Sequence, residues 1–411
     1  MRHIIIILIF TIPTAILSQW QTQISGTTEN LRTIYFINSQ TGYAGGENGK
    51  MLKTVSGGMY WNSLNSGVSQ RINSLYFFNA DSGIACADGG LIIVTNDGGL
   101  NWSNVTSGVT DDLYAVSFKG ARGVCSGSSG TLLYSTDSGY NWTVAKNGFL
   151  SAYYGAQMVS DSVAYSAGVN AIFQPFTAKT TNGGQSHTFN NFYLNGNEGN
   201  LTDICFISEN TGFASARVFD GRGAVSKTTD GGASWTTQIF FRQLHSIDFT
   251  GANTGYCVGD NYLILKTTDG GTTWGSQSGS QVTALRCVHM TDSVTVYAAG
   301  DMGTILKTTN GGVSAVGDQS ELIPGRYVLY QNYPNPFNPV TKIKYFISRA
   351  GSVSIKIYNT EGREIAVLVN GTVSAGEHSV VFDGNDLAGG IYFYEFIYGS
   401  IKEVRKMALV K

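Results

Sequence analysis

Short apolar runs, interrupted at alternate positions by small or polar residues, recur along the first three quarters of the chain and predict strands, not helices. One series reads LRTIYF (Leu31 to Phe36), INSLYF (Ile72 to Phe77), LYAVSF (Leu113 to Phe118), YYGAQM (Tyr153 to Met158), LTDICF (Leu201 to Phe206), LHSIDF (Leu244 to Phe249) and LRCVHM (Leu285 to Met290). A second series is shorter and smaller, as in GYAGG from Gly42, GIACA from Gly83 and GYCVG from Gly255. Each pair is followed by a polar turn between two more strand-like stretches, so every repeat holds four strands in about 43 residues.

The turns align on one position, occupied by Ser56, Asp97, Asp137, Asn182, Asp230, Asp269 and Asn310. Their separations are 41, 40, 45, 48, 39 and 41 residues. KTTDGGASW (Lys227 to Trp235) and KTTDGGTTW (Lys266 to Trp274) are the most regular copies. An Asp, Asn or Ser side chain there is expected to bond the backbone two residues on, and the glycines that follow supply the positive φ of a tight hairpin. The Trp five positions later starts the next strand, where its ring can pack between sheets. One carboxylate per turn, with no partner acid, points to turn closure over catalysis or metal binding. Four-stranded units of this period repeated radially make a β-propeller, here seven-bladed.

The ends of the array are complementary. The seventh turn has Ala315 where a Trp is expected, and the chain then leaves the pattern. The segment WQTQIS (Trp20 to Ser25) looks like the strand that follows the other turns, yet no turn precedes it. The N-terminal strand is therefore expected to complete the seventh blade and cover its edge.

Beyond Gly317 the pattern changes. Residues 317–326 read as a linker, broken by Pro324 and Gly325. From Tyr327 to Lys411, alternating runs such as TKIKYFI, SVSIKIYN and GIYFYEFIYG predict a small antiparallel β-sandwich. At the other terminus, Arg2 and His3 precede the apolar run Ile4 to Ile12, with Ser18 a small residue where a peptidase could cut. Residues 1–18 therefore read as a secretory signal peptide. The run is shorter than the roughly 20 apolar residues a spanning helix needs, and no transmembrane segment is expected in the mature chain.

Composition narrows the function classes. Of 411 residues 52 are Gly, only 13% are charged, and mean hydropathy is -0.02. That profile excludes coiled coil, collagen and charged disorder. A net charge of -2 gives no basic footprint for nucleic acid. Cys86, Cys125, Cys205, Cys257 and Cys287 are scattered singly within predicted strands and read as small buried fillers. The five His are too dispersed for a metal centre, and no spacing suggests a cofactor.

The turns resemble the Asp boxes of sialidase-type propellers. Blades of the form LxxIxF, GYAxG, KTTDGGxxW are more similar to the photosystem II assembly and stability factor family, over about Trp20 to Val316. That resemblance implies a seven-bladed scaffold that binds in assembly and is not an enzyme. A sialidase would imply an arginine triad, a Tyr and Glu nucleophile pair and an Asp acid. The propeller's only Glu residues are Glu29, Glu47, Glu198 and Glu209, and the spacing of its arginines defines no triad. The tail, through YQNYPNPFNPVTKIKY, SIKIYNTEGREI, AGGIYFYEF and KMALVK, resembles a type IX secretion sorting domain of type A, with Tyr333, Pro334, Asn335, Pro336, Phe337, Asn338 and Pro339 as its leading motif. This implies passage through the outer membrane of a Gram-negative bacterium by the type IX machinery, to the medium or the cell surface.

A candidate binding surface comes from the second position of each first strand, which varies while its neighbours stay apolar or small. It carries Arg32, Asn73, Tyr114, Tyr154, Thr202, His245 and Arg286. Arg32, Tyr114, Tyr154, His245 and Arg286 are of types suited to anchoring an interface, at the end opposite the Asp-box turns. The plainer alternative is a solvated rim. The sequence reads as a non-catalytic binding module for an unidentified protein or glycan; the alternative is a glycan-directed protein, lectin-like or glycosidic.

Overall fold

The computed structural model describes residues 20–145, 151–277, 283–312, 327–347, 350–374, 376–399 and 401–411. The expected signal peptide, 1–18, and the expected linker, 317–326, lie outside these residues. The chain forms two compact units, Met1–Ala315 and Val316–Lys411. Both are all-β, apart from single 3₁₀ turns in the first.

Seven four-stranded antiparallel sheets make up the described part of the first unit. Sheet I contains Leu31–Phe36, Gly42–Gly46, Met51–Thr54 and Asn62–Leu64, in chain order. Sheets II to VI repeat that order from the first strands Ile72–Phe77, Leu113–Lys119, Ser151–Met158, Gly199–Phe206 and Leu244–Thr250. Sheet VII has Leu285–Met290, Val296–Gly300 and Ile305–Thr308, and takes its fourth strand, Gln21–Gln23, from the other end of the unit. There Gln21 lies opposite Lys307 and Gln23 opposite Ile305, which covers an otherwise open edge. Trp20 is buried edge-on against Tyr256 of sheet VI, at 5.8 Å.

Each first strand has one edge without a ladder partner, and buried backbone groups there need other partners. Side chains of the neighbouring sheet supply them. Ser117 Oγ accepts from Met158 N at 3.0 Å, Asp203 Oδ2 from Ile247 N at 3.1 Å, and Asp248 Oδ2 from Met290 N at 2.8 Å. His289 Nε2 lies 3.1 Å from the Phe36 carbonyl, joining sheet VII to sheet I. Burial holds both carboxyls above the usual range, Asp203 at about 6.

A second set of contacts joins the sheets further out. The second and third strands pair Tyr43 with Lys53, Tyr256 with Lys266 and Tyr297 with Lys307. In each pair the Tyr hydroxyl and the Lys Nζ both donate to the first turn glycine of the next sheet. The acceptors are the carbonyls of Gly98, Gly311 and Gly57, with Lys distances of 2.8, 2.7 and 2.6 Å. Tyr165 and Lys179 use Gly231 in the same way. Phe213 replaces the Tyr beside Lys227, whose Nζ reaches Gly270 at 2.6 Å. The Lys of the KT dipeptide is thus a latch between sheets.

The turns correct one expectation. The side chain at the Asp position reaches four residues on, not two: Asp269 Oδ1 accepts from Thr273 N at 2.9 Å, and Asp97, Asp137, Asn182, Asp230 and Ser56 repeat this. Only Asn310 bonds the residue two on, Gly312 N, at 3.0 Å. The reason is the buried hydroxyl two residues before the Asp. Thr267 Oγ1 donates to Asp269 Oδ1 and accepts from Gly271 N, which folds the turn inward and carries the carboxylate past the glycines. Hydroxyl and backbone N–H bonds from Ser234 and Thr273, with the Thr228 and Thr267 hydroxyls, hold Asp230 and Asp269 at about 2.

All five cysteines are free and buried. In the second unit, Tyr327–Leu329, Val340–Ile347 and Gly376–Asp383 form one sheet. Glu364–Val373, Gly351–Tyr358, Gly390–Tyr398 and Ile401–Leu409 form the other. One hydrophobic core includes Ile343, Ile347, Ile355, Phe382 and Phe396, drawn from both sheets. Phe337 of the YPNPFNP motif is buried in it, its N donating to Ala408 O at 2.8 Å and its carbonyl accepting from Val410 N at 2.9 Å. Tyr333, Pro334, Asn335, Pro336 and Asn338 remain exposed around that anchor, and Pro339 is half-buried.

Candidate binding site

The second residues of the seven aligned first-strand runs converge. Arg32, Asn73, Tyr114, Tyr154, Thr202, His245 and Arg286 line one cavity of about 320 Å³. Arg71 and Arg217 join them there. Four arginines that sequence spacing could not group are thus neighbours. This mouth lies at the end where the first strands begin, and the Asp-box turns lie at the end where they finish.

Most charges at the mouth are matched across the sheet. Arg32 Nη2 meets Glu47 Oε1 at 2.6 Å, and Arg71 Nη2 meets Asp88 Oδ1 at 3.1 Å. Arg286 makes a two-pronged bond to Asp301, at 2.9 and 2.6 Å, which raises its pKa. Burial holds the His245 pKa below the usual histidine range, and the neutral ring lies 2.7 Å from Asp260 Oδ1 through Nε2. Arg286 Nη1 lies 3.0 Å from the same nitrogen.

Glu47, Asp88, Asp260 and Asp301 occupy one repeat position, the residue after the second-strand partner of the Leu or Ile that opens each first-strand run. The pairs Leu31 with Gly46, Ile72 with Ala87, Leu244 with Gly259 and Leu285 with Gly300 fix it. In sheet V the pair is Leu201 with Ala216, and the next residue is Arg217. A base stands where four other sheets carry an acid. Among the described residues Arg217 has no ion pair, and its Nε is buried without a hydrogen-bond partner. Desolvation lowers its pKa. Its guanidinium sits 6.0 Å from the centre of the Tyr154 ring, which stacks on Tyr114 at 5.4 Å. Sequence alignment of the first strands alone misses Arg217; aligning the ends of the second strands exposes it.

Among the described residues no group of three or more His, Cys, Asp or Glu converges as a metal site would, and no helix is long and apolar enough to cross a membrane.

Known proteins share this architecture. The family described as photosynthesis system II assembly factor YCF48 matches residues 12–109 and 60–148. The family described as secretion system C-terminal sorting domain matches residues 331–410. No curated protein matches. Among solved structures, "YCF48 bound to D1 peptide" aligns with TM-score 0.58 and 20% identity, over 73% of this chain and all of that one. YCF48 from Cyanidioschyzon merolae gives 0.57 and 16%, over 70% and 98%. The WD40 β-propeller domain of Doa1 gives 0.55 and 10%, over 70% and 96%. The first unit therefore has a propeller fold, in a chain similar to the assembly-factor propellers. The second resembles a secretion-system C-terminal sorting domain, and the two together support a secreted propeller module.

Proposed function

We propose that the chain is an exported, seven-bladed propeller that binds a partner without catalysis at the arginine and tyrosine mouth, followed by a sandwich-like sorting tail recognised by the type IX machinery. In this reading residues 1–18 are removed as a signal, 317–326 link the units, and the product stays in the medium or on the outer-membrane surface. Arg217 carries the reading. A buried guanidinium nitrogen left without a partner is costly unless a ligand completes it. Beside it the Tyr114 and Tyr154 rings offer a flat apolar surface. A protein segment bringing an anionic group, such as a carboxylate, satisfies both. One of the similar solved propellers, YCF48, is bound to a D1 peptide, which supports a peptide-like partner. The matched acids support a reading without catalysis: each of Glu47, Asp88, Asp260 and Asp301 already holds an Arg or His, and among the described residues lining the mouth no Tyr is bonded to a Glu.

The test is capture of partners from culture medium or envelope extract by the full secreted chain. The variant combining Arg217→Ala, Tyr154→Ala and Arg286→Ala should lose a specific partner while its fold, by circular dichroism, is retained. Equal capture by wild type and variant would return the mouth to a plain rim. Turnover of a fluorogenic glycoside, abolished by replacing one carboxylate, would establish the glycosidase alternative instead.

A further inference from the structure

The latch pair is replaced in two sheets, by Val124 and Tyr134 in sheet III and by two aliphatic residues in sheet II, and a cavity lies beside the second replacement. In sheet II the Tyr and Lys of the latch are replaced by Ile84 and Val94, which pair across the same strands. The carbonyl they would hold belongs to Ser138, which stands where most other turns have their first glycine, and neither replacement can donate to it. Between sheets II and III, at the Asp-box end, a cleft of about 540 Å³ opens, with Val94 and Ser138 among its walls. That volume falls in the range of small-molecule sites, roughly 300–1,000 Å³.

The walls have a consistent chemistry. None of the lining residues is charged at neutral pH. Tyr76 and Phe78 supply aromatic surface, packed on each other at 5.1 Å, and Phe78 is packed on Phe118 at 4.9 Å. Tyr140, 52% exposed, stands at the rim and donates its hydroxyl to Asn96 Oδ1 at 3.0 Å. Asn79 accepts from Asp81 N and Ser82 N through its own Oδ1. Both amides therefore spend their oxygen within the protein, and neither amide nitrogen donates to another of the described residues, so two NH₂ groups are left to donate at the cleft. Phe78 is itself unusual. The same position holds Ile37, Lys119, Val159, Ile207, Thr250 and Thr291 in the other sheets.

We infer that this cleft is a binding subsite for a neutral carbohydrate, separate from the arginine mouth and at the opposite end of the ring. A pyranose has a face of C–H groups that packs on aromatic rings and an edge of hydroxyl oxygens that accept from amide donors. The absence of charge disfavours an anionic or cationic ligand, whose desolvation would go uncompensated. A propeller delivered to a cell surface would then hold a protein partner at one end and a glycan at the other.

The experiment uses the full secreted chain and a panel of neutral tri- and tetrasaccharides of glucose, galactose, mannose and xylose, with sialylated counterparts, read by calorimetry and by protein NMR. At least one neutral member should bind with a Kd of about 1 mM or tighter. The paired change Ile84→Tyr with Val94→Lys, which restores the latch and fills the cleft, should weaken that binding at least about tenfold, a loss of 1.4 kcal/mol, with Tm unchanged or raised. Because that variant alters packed positions, the exposed pair Asn96→Ala with Tyr140→Ala provides a second test and should weaken binding to a similar degree. Capture of protein at the arginine mouth should be the same in all three proteins. The inference is overturned if no neutral sugar binds, if only sialylated sugars bind, or if both variants bind as wild type does.

Discussion

The two ends of the ring use polar residues for different purposes. At the turn end, Thr267, Asp269 and Thr273 bond one another and the local backbone, and the latch lysines close on the next turn. These partners lie within the fold. At the mouth, acids and arginines also pair, but the acid position holds Ser128 and Val169 in two sheets and a base in a third, Arg217, whose Nε finds no partner. Polar groups that complete each other hold a fold together, and a costly group left incomplete marks where something else is expected to bind.

Substitutions should separate the ends by their effect on stability. The largest loss belongs to ring closure: Trp20→Ala removes a buried ring from the only sheet completed by the other terminus, and should cost about 3–5 kcal/mol in chemical denaturation. A smaller loss is expected at a turn. Thr267→Val keeps the shape but leaves Gly271 N and the Asp269 carboxylate short of a partner, at a cost of about 1–3 kcal/mol.

The buried carboxyls of the first strands give a pH-dependent effect. Asp203 titrates at about 6 in the folded chain against an ordinary 3.8, so between those values the native state holds the extra proton. Stability should therefore fall as pH rises through that window, by on the order of 1–3 kcal/mol. Asp203→Asn should flatten that slope while lowering stability overall, since its bonds from Ser246 and Ile247 are disturbed. Arg217→Ala should change stability least, within about 0.5 kcal/mol, while removing partner capture. A large loss of stability from Arg217→Ala would erase the contrast between the ends.

Much of this was legible in the sequence because repeats turn single residues into columns. The column of first strands located Arg32, Tyr114, Tyr154, His245 and Arg286 by alignment alone, and the unmatched Trp20 pointed to the sheet it completes. What escaped depended on geometry between columns. The four-residue reach of the Asp-box carboxylate follows from the buried Thr or Ser hydroxyl two positions earlier, which a local turn rule does not contain. In the sequence Arg217 is one of several scattered arginines, and only strand pairing puts it level with Glu47 and Asp301. The Lys latch was visible as the K of KTT, but its acceptor lies about 45 residues away, in the neighbouring turn.

The central claim is that the mouth, and not the turn end, holds the protein partner. A photo-reactive amino acid placed at position 154 of the full chain in producing cells, with position 100 at the turn end as control, tests this directly. A discrete adduct from position 154 that disappears with Arg217→Glu, with none from position 100, is the predicted result. Adducts from position 100 alone, or from position 154 regardless of Arg217, would contradict it.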